Sequence, residues 1–291
     1  MKILITGKNG QVGSCLVDLL EAQTELTFLA LDRDQLDITD ANQVNKVVAE
    51  FKPNIIINAA AYTAVDKAEQ ESELAYAINH NGPQNLAIAA NKVNAAIIHI
   101  STDYVFDGDS AESYVESDNT APQGEYGRSK LAGEQGVAEA CSRHIIVRTA
   151  WVFGEHGNNF VKTMLRLAKT RDSLGVVADQ FGGPTYAGDI AKAILAIAKQ
   201  LIDGNQAYGV YHYSGFPHVS WHTFAEKIFN IAVEQGVLKQ SIQVNPITTR
   251  DYPTPAKRPA NSRLNCHRID SAFGIRQSDW QAALTRIKEY S

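Results

Sequence analysis

The N-terminal stretch most constrains how this chain can fold. A short apolar run, 2–6, leads directly into three glycines, Gly7, Gly10 and Gly13, spaced G-x-x-G-x-x-G. The amphipathic segment that follows predicts a helix over 12–22. Strand, glycine-rich turn and helix in this order are typical of a dinucleotide-binding unit, because the backbone can turn tightly and approach a pyrophosphate at the helix N-terminus.

Strands and helices alternate through the first half of the chain. Apolar runs predict strands at 2–6, 26–31, 54–58, 95–100 and 145–149, with helical segments between them. Nearly continuous apolar strands indicate a parallel sheet that is covered on both faces. We therefore predict an α/β protein with a Rossmann-like, doubly wound parallel sheet and right-handed crossovers.

The regular alternation of predicted strands and helices ends after Trp151, which indicates a second lobe. We predict a dinucleotide-binding domain over 1–153 and a smaller, mainly substrate-binding lobe over 154–291. Some chain near 186–214 is expected to return to the first domain, because an apolar helix (190–201) and a strand (210–213) follow one another there.

The composition of the chain limits the classes of partner that it can bind. The net charge of −5 and the lack of a basic block argue against nucleic acid as a partner. No apolar run approaches about 18 residues, so we expect no membrane partner. The three cysteines are scattered and odd in number, which fits a reduced, cytoplasmic protein better than a disulfide scaffold.

Tyr126 and Lys130 form a Y-x-x-x-K pair just before a helix predicted over 131–141. Residues four apart on a helix share one face. A phenol, whose pKa is ordinarily about 10, is a proton donor at neutral pH, and a nearby ammonium is expected to lower that pKa. Such a pair can protonate an alkoxide that forms at a carbonyl. By itself the pair is weak evidence, since a surface Tyr and Lys often have this spacing.

Small and polar residues follow three of the predicted strands. Asp32 and Arg33 follow the second strand, 59–63 (A-A-A-Y-T) the third, and 101–104 (S-T-D-Y) the fourth. The carboxyl ends of parallel strands meet at one edge, where doubly wound folds bind their ligands. An acid after the second strand commonly binds the adenosine ribose hydroxyls.

With these motifs, the chain resembles the extended short-chain dehydrogenase/reductases, and among them the dTDP-4-dehydrorhamnose reductases. The resemblance rests on four segments that span both lobes: A-A-A-Y-T-A-V-D-K-A-E at 59–69, S-T-D-Y-V-F at 101–106, G-N-N-F at 157–160, and 252–264 from Y-P-T-P-A to N-S-R-L.

The resemblance implies a role for each matching residue. The catalytic set is Thr102, Tyr126 and Lys130. The cofactor-binding set is Gly7, Gly10, Gln11, Val12, Gly13, Asp32, Arg33, Asp37, Ile38, Ala59, Ala60, Tyr62, Tyr126 and Lys130. The substrate-binding set is Thr63, Asp103, Tyr104, Trp151, Asn159 and Arg258.

The implied reaction is NAD(P)H-dependent reduction of the C4 keto group of a nucleotide sugar, dTDP-4-dehydro-6-deoxy-L-mannose, to dTDP-L-rhamnose. Tyr126 is expected to donate the proton, and Thr102 to bind the developing oxyanion. NADPH is the expected cofactor, with NADH also accepted, since Asp32 suits ribose hydroxyls whereas Arg33 can pair with a 2′-phosphate.

Two alternative functions remain open. A related nucleotide-sugar reductase that also epimerises would need an extra acid/base pair, often Cys and His, and no cysteine falls in the predicted site loops. A non-catalytic regulatory relative could keep the fold, although the complete catalytic set argues against this alternative.

No metal site is predicted. His218 and His222 have helical spacing, but no third ligand is evident. Some family members dimerise through a magnesium ion held by glutamates, one of them early in the first helix, whereas this chain has Ser14-Cys15 there and Gly188-Asp189 where another would be expected. Because Mg²⁺ prefers oxygen ligands, we expect a monomer or weak homodimer that is not metal-bridged.

Overall fold

A parallel sheet of six strands organises the larger part of the chain in the computed structural model, which describes residues 1–23 and 26–290. Ser291, the last residue of the predicted second lobe, lies outside the described residues. The strands are β1 (Lys2–Thr6), β2 (Thr27–Leu31), β3 (Ile55–Asn58), β4 (Ala96–Thr102), β5 (His144–Thr149), β6 (Val152–Phe153), β7 (Ser173–Val177), β8 (Phe181–Gly182), β9 (Thr185–Tyr186), β10 (Gly209–His212), β11 (Val219–Ser220), β12 (Gln243–Ile247) and β13 (Asn261–Ser262). The sheet order is β10-β5-β4-β3-β1-β2, with every pair parallel.

Helices connect these strands and cover both faces of the sheet. They are α1 (Gln11–Glu21), α2 (Ala41–Phe51), α3 (Val65–Ala68), α4 (Ser72–Tyr76), α5 (Gly82–Lys92), α6 (Glu125–Ala140), α7 (Phe160–Ala168), α8 (Ala187–Ile202), α9 (Trp221–Glu234), α10 (His267–Phe273) and α11 (Trp280–Leu284). Short 3₁₀ turns occupy Asp103–Val105, Thr249–Asp251 and Ile287–Tyr290, and a π-helical segment occupies Ala77–Asn81. The predicted fold class is confirmed. None of the helices in the described ranges is long and apolar enough to cross a membrane.

Three buried clusters account for most of the core. On one face of the sheet, α1 and α8 pack against Ile3, Ile5 and their neighbours. On the other face, α2, α5 and α6 pack around Leu4 and Ile56. A separate aromatic core, which includes Phe153, joins α7, α9 and α11 in the smaller lobe. The segment 187–212 returns to the sheet, since β10 pairs with β5 and α8 lies against α1.

Helix α6 begins earlier than predicted. Its first residue is Glu125, so Tyr126 and Lys130 lie inside the helix and not ahead of it. Gly124 precedes it in an extended conformation, and the backbone N–H of Glu125 donates to the Glu69 carboxylate at 2.9 Å. A distant side chain thus satisfies one of the N–H groups that a helix start leaves without an internal partner, and this contact cannot be seen in the local sequence.

A buried ion pair joins α6 to the sheet. The Arg148 guanidinium on β5 donates to both carboxylate oxygens of Glu134, at 2.9 Å to Oε1 and 2.6 Å to Oε2. The Ser101 hydroxyl at the end of β4 donates to the same carboxylate at 2.5 Å. Both charged side chains are about 95% buried, with exposed fractions of 5% and 4%. This network holds α6 at a fixed height above the sheet.

Replacing Arg148 by Met is expected to destabilise the fold strongly. The change leaves the Glu134 carboxylate buried without its counter-charge, which typically costs about 3–5 kcal/mol. Urea denaturation measures the free energy of unfolding. The double variant Arg148→Met/Glu134→Gln removes the stranded charge and should recover part of the loss. A loss below about 1 kcal/mol in Arg148→Met would show that the pair is not needed for stability.

Candidate active site

A chain of buried polar groups crosses the sheet beneath the site. The Thr6 hydroxyl on β1 donates to Asn58 Oδ1 on β3 at 2.7 Å, and the Ala60 N–H donates to the same oxygen at 3.1 Å. Asn58 Nδ2 lies 3.0 Å from His99 Nδ1 on β4. These bonds fix the ends of three neighbouring strands, from which the loops of the site emerge. The sequence reasoning did not single out Asn58 or His99 for this role.

The glycine loop packs closely against two backbones. Gly7 has a positive φ of 77°, and a Cβ there would lie 2.5 Å from the Ala60 nitrogen. A Cβ on Gly13 would lie 2.1 Å from the Gly7 carbonyl oxygen. Helix α1 starts directly after Gly10, and no side chain caps its first N–H groups. Gly7, Gly10, Gln11, Val12 and Gly13 therefore form a cradle of backbone donors that fits a pyrophosphate.

The end of β2 carries the residues predicted to meet the adenosine ribose. Asp32 Oδ1 accepts bonds from the N–H groups of Asp34 and Gln35, both at 3.1 Å. Its other oxygen lies 3.4 Å from Lys8 Nζ, whereas Arg33 is exposed. Lys8, inside the glycine loop, is thus a second cation at this edge. Its position directly after Gly7 was the signal that the sequence reasoning passed over.

The remaining predicted cofactor residues line the neighbouring loops. The Asp37 carboxylate accepts bonds from the Thr39 N–H at 2.9 Å and its hydroxyl at 2.8 Å. Ile38 is buried, and a Cβ on Gly82 would lie 2.5 Å from its terminal carbon. Ala59 and Ala60 border the glycine loop. The Asp37 and Ile38 contacts are internal to the protein, and their roles toward the cofactor stay predictions.

Asn79 links two loops of the site and was not predicted. It lies in the π-helical segment, and its amide exchanges hydrogen bonds with the Tyr62 backbone, at 2.8 Å to Oδ1 and 3.0 Å from Nδ2. Its Nδ2 also lies 3.0 Å from the Ser129 hydroxyl, which donates to the Tyr126 carbonyl at 2.8 Å. π-Helical segments are frequent at functional sites, and Asn79 here connects the Tyr62 loop to α6.

Tyr126 lies in the first turn of α6, with its phenol beside Thr102. The Thr102 side chain hydrogen-bonds this phenol, and the Tyr104 ring packs edge-on against that of Tyr126 with 5.4 Å between centroids. Burial raises the pKa of Tyr126; the Asp103 carboxylate and Tyr104 add to this, and the Thr102 bond opposes it. The expected lowering of this pKa is therefore wrong for the protein without ligands. The phenol is neutral at physiological pH and can donate a proton.

Lys130 lies one turn further along α6 and is 2% exposed. Its ammonium donates to the Ile100 carbonyl at 2.6 Å. Burial lowers the pKa of Lys130 to about 8, although the Glu134 carboxylate acts in the opposite direction. An ammonium has three donors, so the groups beyond the Ile100 bond remain for a ligand hydroxyl.

Asp103 is a buried carboxyl next to the catalytic threonine. Its Oδ1 accepts a bond from the Thr102 hydroxyl at 3.1 Å, and its Oδ2 is buried with no partner among the described residues. Burial raises the pKa of Asp103 to about 6, despite bonds from Ser262 and Thr102 that act to lower it. Asp103 therefore holds Thr102 in place from below.

A cavity of about 800 Å³ lies beside these residues and reaches into the smaller lobe. Three of the predicted substrate residues line it: Tyr104, Trp151 and Arg258. Thr63 is exposed just before the lining residues Val65 and Asp66. Asn159 instead caps α7 and donates to Gln11 Oε1 at 3.1 Å. It lies at the junction of the cofactor loop and the second lobe.

Aromatic rings form one wall of this cavity. Trp151, with a φ of 51°, stacks on Trp221 at 3.5 Å between ring centroids and 11° between planes. Phe160 adjoins Trp221 with 4.6 Å between centroids. A left-handed conformation at a bulky residue is strained, and such strain concentrates at functional sites. Trp221 was not among the predicted site residues.

A charged pair, Asp66 and Arg258, also lines this cavity. Arg258 Nη2 lies 2.6 Å from Asp66 Oδ2, and Nη1 lies 3.5 Å from the Tyr104 hydroxyl. The other Asp66 oxygen accepts a bond from the Ala256 N–H at 3.2 Å. Asp66, which was not predicted, thus holds the segment that carries Arg258. A cavity lined by flat rings and a guanidinium suits a ligand that has both an aromatic base and phosphates.

A dinucleotide cradle and a Thr-Tyr-Lys set at the same edge of a Rossmann-like sheet define an NAD(P)-dependent oxidoreductase of the extended short-chain type. Residues 1–290 match the family model described as the RmlD substrate binding domain. The chain is 54% identical to a dTDP-4-dehydrorhamnose reductase of Aggregatibacter actinomycetemcomitans, over 100% of this chain and 99% of that protein. The chain belongs to the family of the dTDP-4-dehydrorhamnose reductases, as the motifs predict.

Solved structures of related proteins support the same family membership. A dTDP-4-dehydrorhamnose reductase from Clostridium acetobutylicum superposes with a TM-score of 0.92 at 43% identity, covering 99% of each chain. One from Bacillus anthracis, in complex with NADP, has a TM-score of 0.90 at 43% identity and covers 100% of this chain and 99% of that one.

The affinity for NADPH is expected to fall as the pH rises through about 8. Because the pKa of Lys130 lies near that value, the ammonium is present below it and lost above it. Losing a charged hydrogen bond should weaken binding by about tenfold. Fluorescence titration at a series of pH values measures this affinity. The Lys130→Met variant is the control and should bind NADPH weakly at every pH. A wild-type affinity that stays constant from about pH 7 to pH 10 would contradict the assignment of Lys130 to the cofactor site.

Proposed function

We propose that this protein reduces the C4 keto group of dTDP-4-dehydro-6-deoxy-L-mannose to give dTDP-L-rhamnose, with NADPH as the reductant. The observation that carries the proposal is the position of the Thr102–Tyr126 pair. The Tyr126 ring packs against Tyr104, which lines the cavity of aromatic rings and Arg258, and Thr102 ends β4 at the edge of the sheet where the glycine loop follows β1. The relatives that match over the full chain support the same substrate.

NADPH, when bound, supplies the hydride. The glycine cradle fits it because Gly7 and Gly13 lack a Cβ, which would collide with the backbone that forms the loop. Tyr126 holds the proton that the alkoxide at C4 takes up, and its raised pKa keeps that proton on the phenol until it is needed. The Thr102 hydroxyl can donate to the same oxygen as negative charge develops there. In this proposal, the Lys130 ammonium binds the ribose hydroxyls of the cofactor through its N–H donors.

The alternatives have less support. An epimerising enzyme needs an additional acid/base pair beside the substrate, and the residues that line the cavity include neither Cys nor His. A non-catalytic relative has no need of a buried Lys130 or of a carboxyl that positions Thr102. The three cysteines of the chain are buried and unpaired, which supports a reducing compartment such as the cytoplasm.

Removing the Tyr126 hydroxyl is expected to abolish most of the turnover. In Tyr126→Phe the ring packing remains, but the proton donor is lost, so kcat should fall about 100-fold or more while NADPH still binds. Steady-state assays with the keto sugar measure this fall. Tyr104→Phe is the matched control, because it removes a neighbouring hydroxyl that contacts Arg258 and should affect KM more than kcat. Near-normal turnover in a folded Tyr126→Phe protein would refute the assignment.

Cofactor choice depends on opposite charges at the end of β2. Asp32 suits the ribose hydroxyls of NADH and repels a 2′-phosphate. However, Lys8 already lies 3.4 Å from its carboxylate, and Arg33 is exposed and adjacent in sequence. Two cations therefore offset one carboxylate. This balance supports NADPH as the main cofactor, with NADH as a usable substitute.

Replacing Arg33 by Ala is expected to reduce kcat/KM with NADPH much more than with NADH. A bidentate guanidinium–phosphate contact can be made only with NADPH, and its loss should cost about tenfold or more. Arg143→Ala controls for net charge, because Arg143 immediately precedes β5, at the opposite end of the sheet. Equal losses with both cofactors would show that Arg33 does not read the phosphate.

We also infer that the chain is a monomer or weak homodimer without a magnesium bridge. Cys15 is buried beside Glu155 and His156 of the same chain. Asp189 accepts a bond from the Ser278 hydroxyl at 2.8 Å and pairs with Lys192 at 3.3 Å. Asp189 is therefore already engaged within one chain, and the sulfur of Cys15 is a poor ligand for Mg²⁺; both points support the inference.

A further inference from the structure

Three metal-ligating side chains lie together where α1 faces the loop before α7, away from the cavity. The Cys15 thiol, the Glu155 carboxylate and a ring nitrogen of His156 have their ligand atoms within 4.8 Å of one another. Thiolate, imidazole and carboxylate are the ligands that Zn²⁺ takes in proteins, usually with tetrahedral geometry. The reductase mechanism uses none of these three residues.

Glu155 has one carboxylate oxygen to spare. Its Oε1 accepts a bond from the Tyr186 hydroxyl at 2.8 Å. Its Oε2 is buried and has no hydrogen-bond partner within the described part of the chain. A buried acceptor without a partner is costly, and such groups in native proteins call for an explanation. A cation bound at this oxygen would remove the cost.

His156 is already held by a carboxylate. Its Nε2 lies 3.0 Å from Asp18 Oδ2. A carboxylate that contacts the imidazole orients the ring, and metal-binding histidines very often have such a partner. The His156 side chain is 34% exposed, so an ion can arrive from solvent, whereas the buried Cys15 forms the inner wall.

The local charges favour a cation. The Glu155 carboxylate belongs to the cluster, and the Asp18 carboxylate contacts His156. The nearby Arg286 guanidinium is engaged with the Tyr186 ring, 4.7 Å from the centroid, and with Glu289 at 3.5 Å. The same carboxylates attract a divalent ion, and coordination to zinc deprotonates a thiol.

We propose that Cys15, Glu155 and His156 bind one Zn²⁺ ion, with Asp18 orienting the imidazole and water as the fourth ligand. Zinc–ligand bonds of about 2.0–2.3 Å put tetrahedral ligand atoms about 3.5 Å apart, a geometry that small side-chain rotations can reach from the observed cluster. The soft sulfur ligand selects zinc over magnesium. This proposal departs from the sequence-based prediction that the chain binds no metal. The sequence alone does not show that α1 contacts the loop at 155–156.

The site would join the two lobes at the cofactor loop. Cys15 lies on α1, whose first residue, Gln11, belongs to the dinucleotide cradle. Gln11 accepts a bond from Asn159 at 3.1 Å, on the same loop as Glu155 and His156. An ion that ties Cys15 to this loop therefore holds the second lobe against the start of α1.

Cobalt substitution tests the proposal without depending on turnover. The full-length protein, stripped with a chelator, is titrated with Co²⁺. We expect one ion per chain, a thiolate-to-cobalt charge-transfer band in the near ultraviolet, and the intense visible bands of a tetrahedral site. Zn²⁺ should displace the cobalt and Mg²⁺ should not. Absence of the charge-transfer band, or displacement by Mg²⁺, would overturn the proposal.

Variants locate the ligands. Cys15→Ser should lose the charge-transfer band, and the matched control Cys266→Ser, at another buried thiol, should keep it. Asp18→Asn should weaken binding by about 10–100-fold, as second-sphere changes do. If circular dichroism shows that Cys15→Ser does not fold, His156→Gln on the half-exposed loop tests the site instead. This variant should weaken Co²⁺ binding at least as much as Asp18→Asn. A band that persists in a folded Cys15→Ser protein, or unchanged affinity in His156→Gln, would refute the site.

Discussion

The site depends on how closely two backbone segments approach each other. Gly7 lies against the Ala59–Ala60 peptide and Gly13 against the Gly7 carbonyl, at distances that leave no room for a Cβ. This approach sets where α1 begins relative to the ends of β1 and β3, and thus where its free N–H groups point. The Thr6–Asn58 hydrogen bond fixes the same two strands from below. The cradle of backbone N–H groups and the arrangement of the strand ends beneath it are therefore consequences of one packing constraint.

Burial shifts the pKa values of Tyr126 and Lys130 in opposite directions. It raises the pKa of Tyr126 and lowers that of Lys130, so both groups move toward their neutral forms. The Glu134 carboxylate counteracts this for Lys130, and Glu134 is itself held by Arg148. The ion pair beneath α6 is thus structural and also helps to keep Lys130 charged. A ligand with phosphates and hydroxyls would add to that effect when it binds beside the ammonium.

Local patterns in the sequence predicted the parts of this protein that depend on local physics. Apolar runs and the glycine spacing sufficed for the parallel sheet and the cradle, because strand burial and tight turns leave a direct mark on composition. The contacts of Asn79, Asp66 and Lys8 could not be derived in this way. Each joins segments distant in sequence, and a lone Asn, Asp or Lys is usually a solvated surface residue. The start of α6 was misplaced for the same reason, since its N–H partner is the distant Glu69.

The pairing of Arg258 with Asp66 bears on how a diphosphate can bind. A guanidinium that is already held by a carboxylate loses little side-chain entropy when a ligand arrives. With Nη2 directed to Asp66 and Nη1 only 3.5 Å from the Tyr104 hydroxyl, the second contact is the weaker one. A phosphate oxygen can replace it while the Asp66 bond stays in place. Asp66 therefore fixes the position of the Arg258 guanidinium while it neutralises part of its charge, so a phosphate bound there would gain more in placement than in affinity.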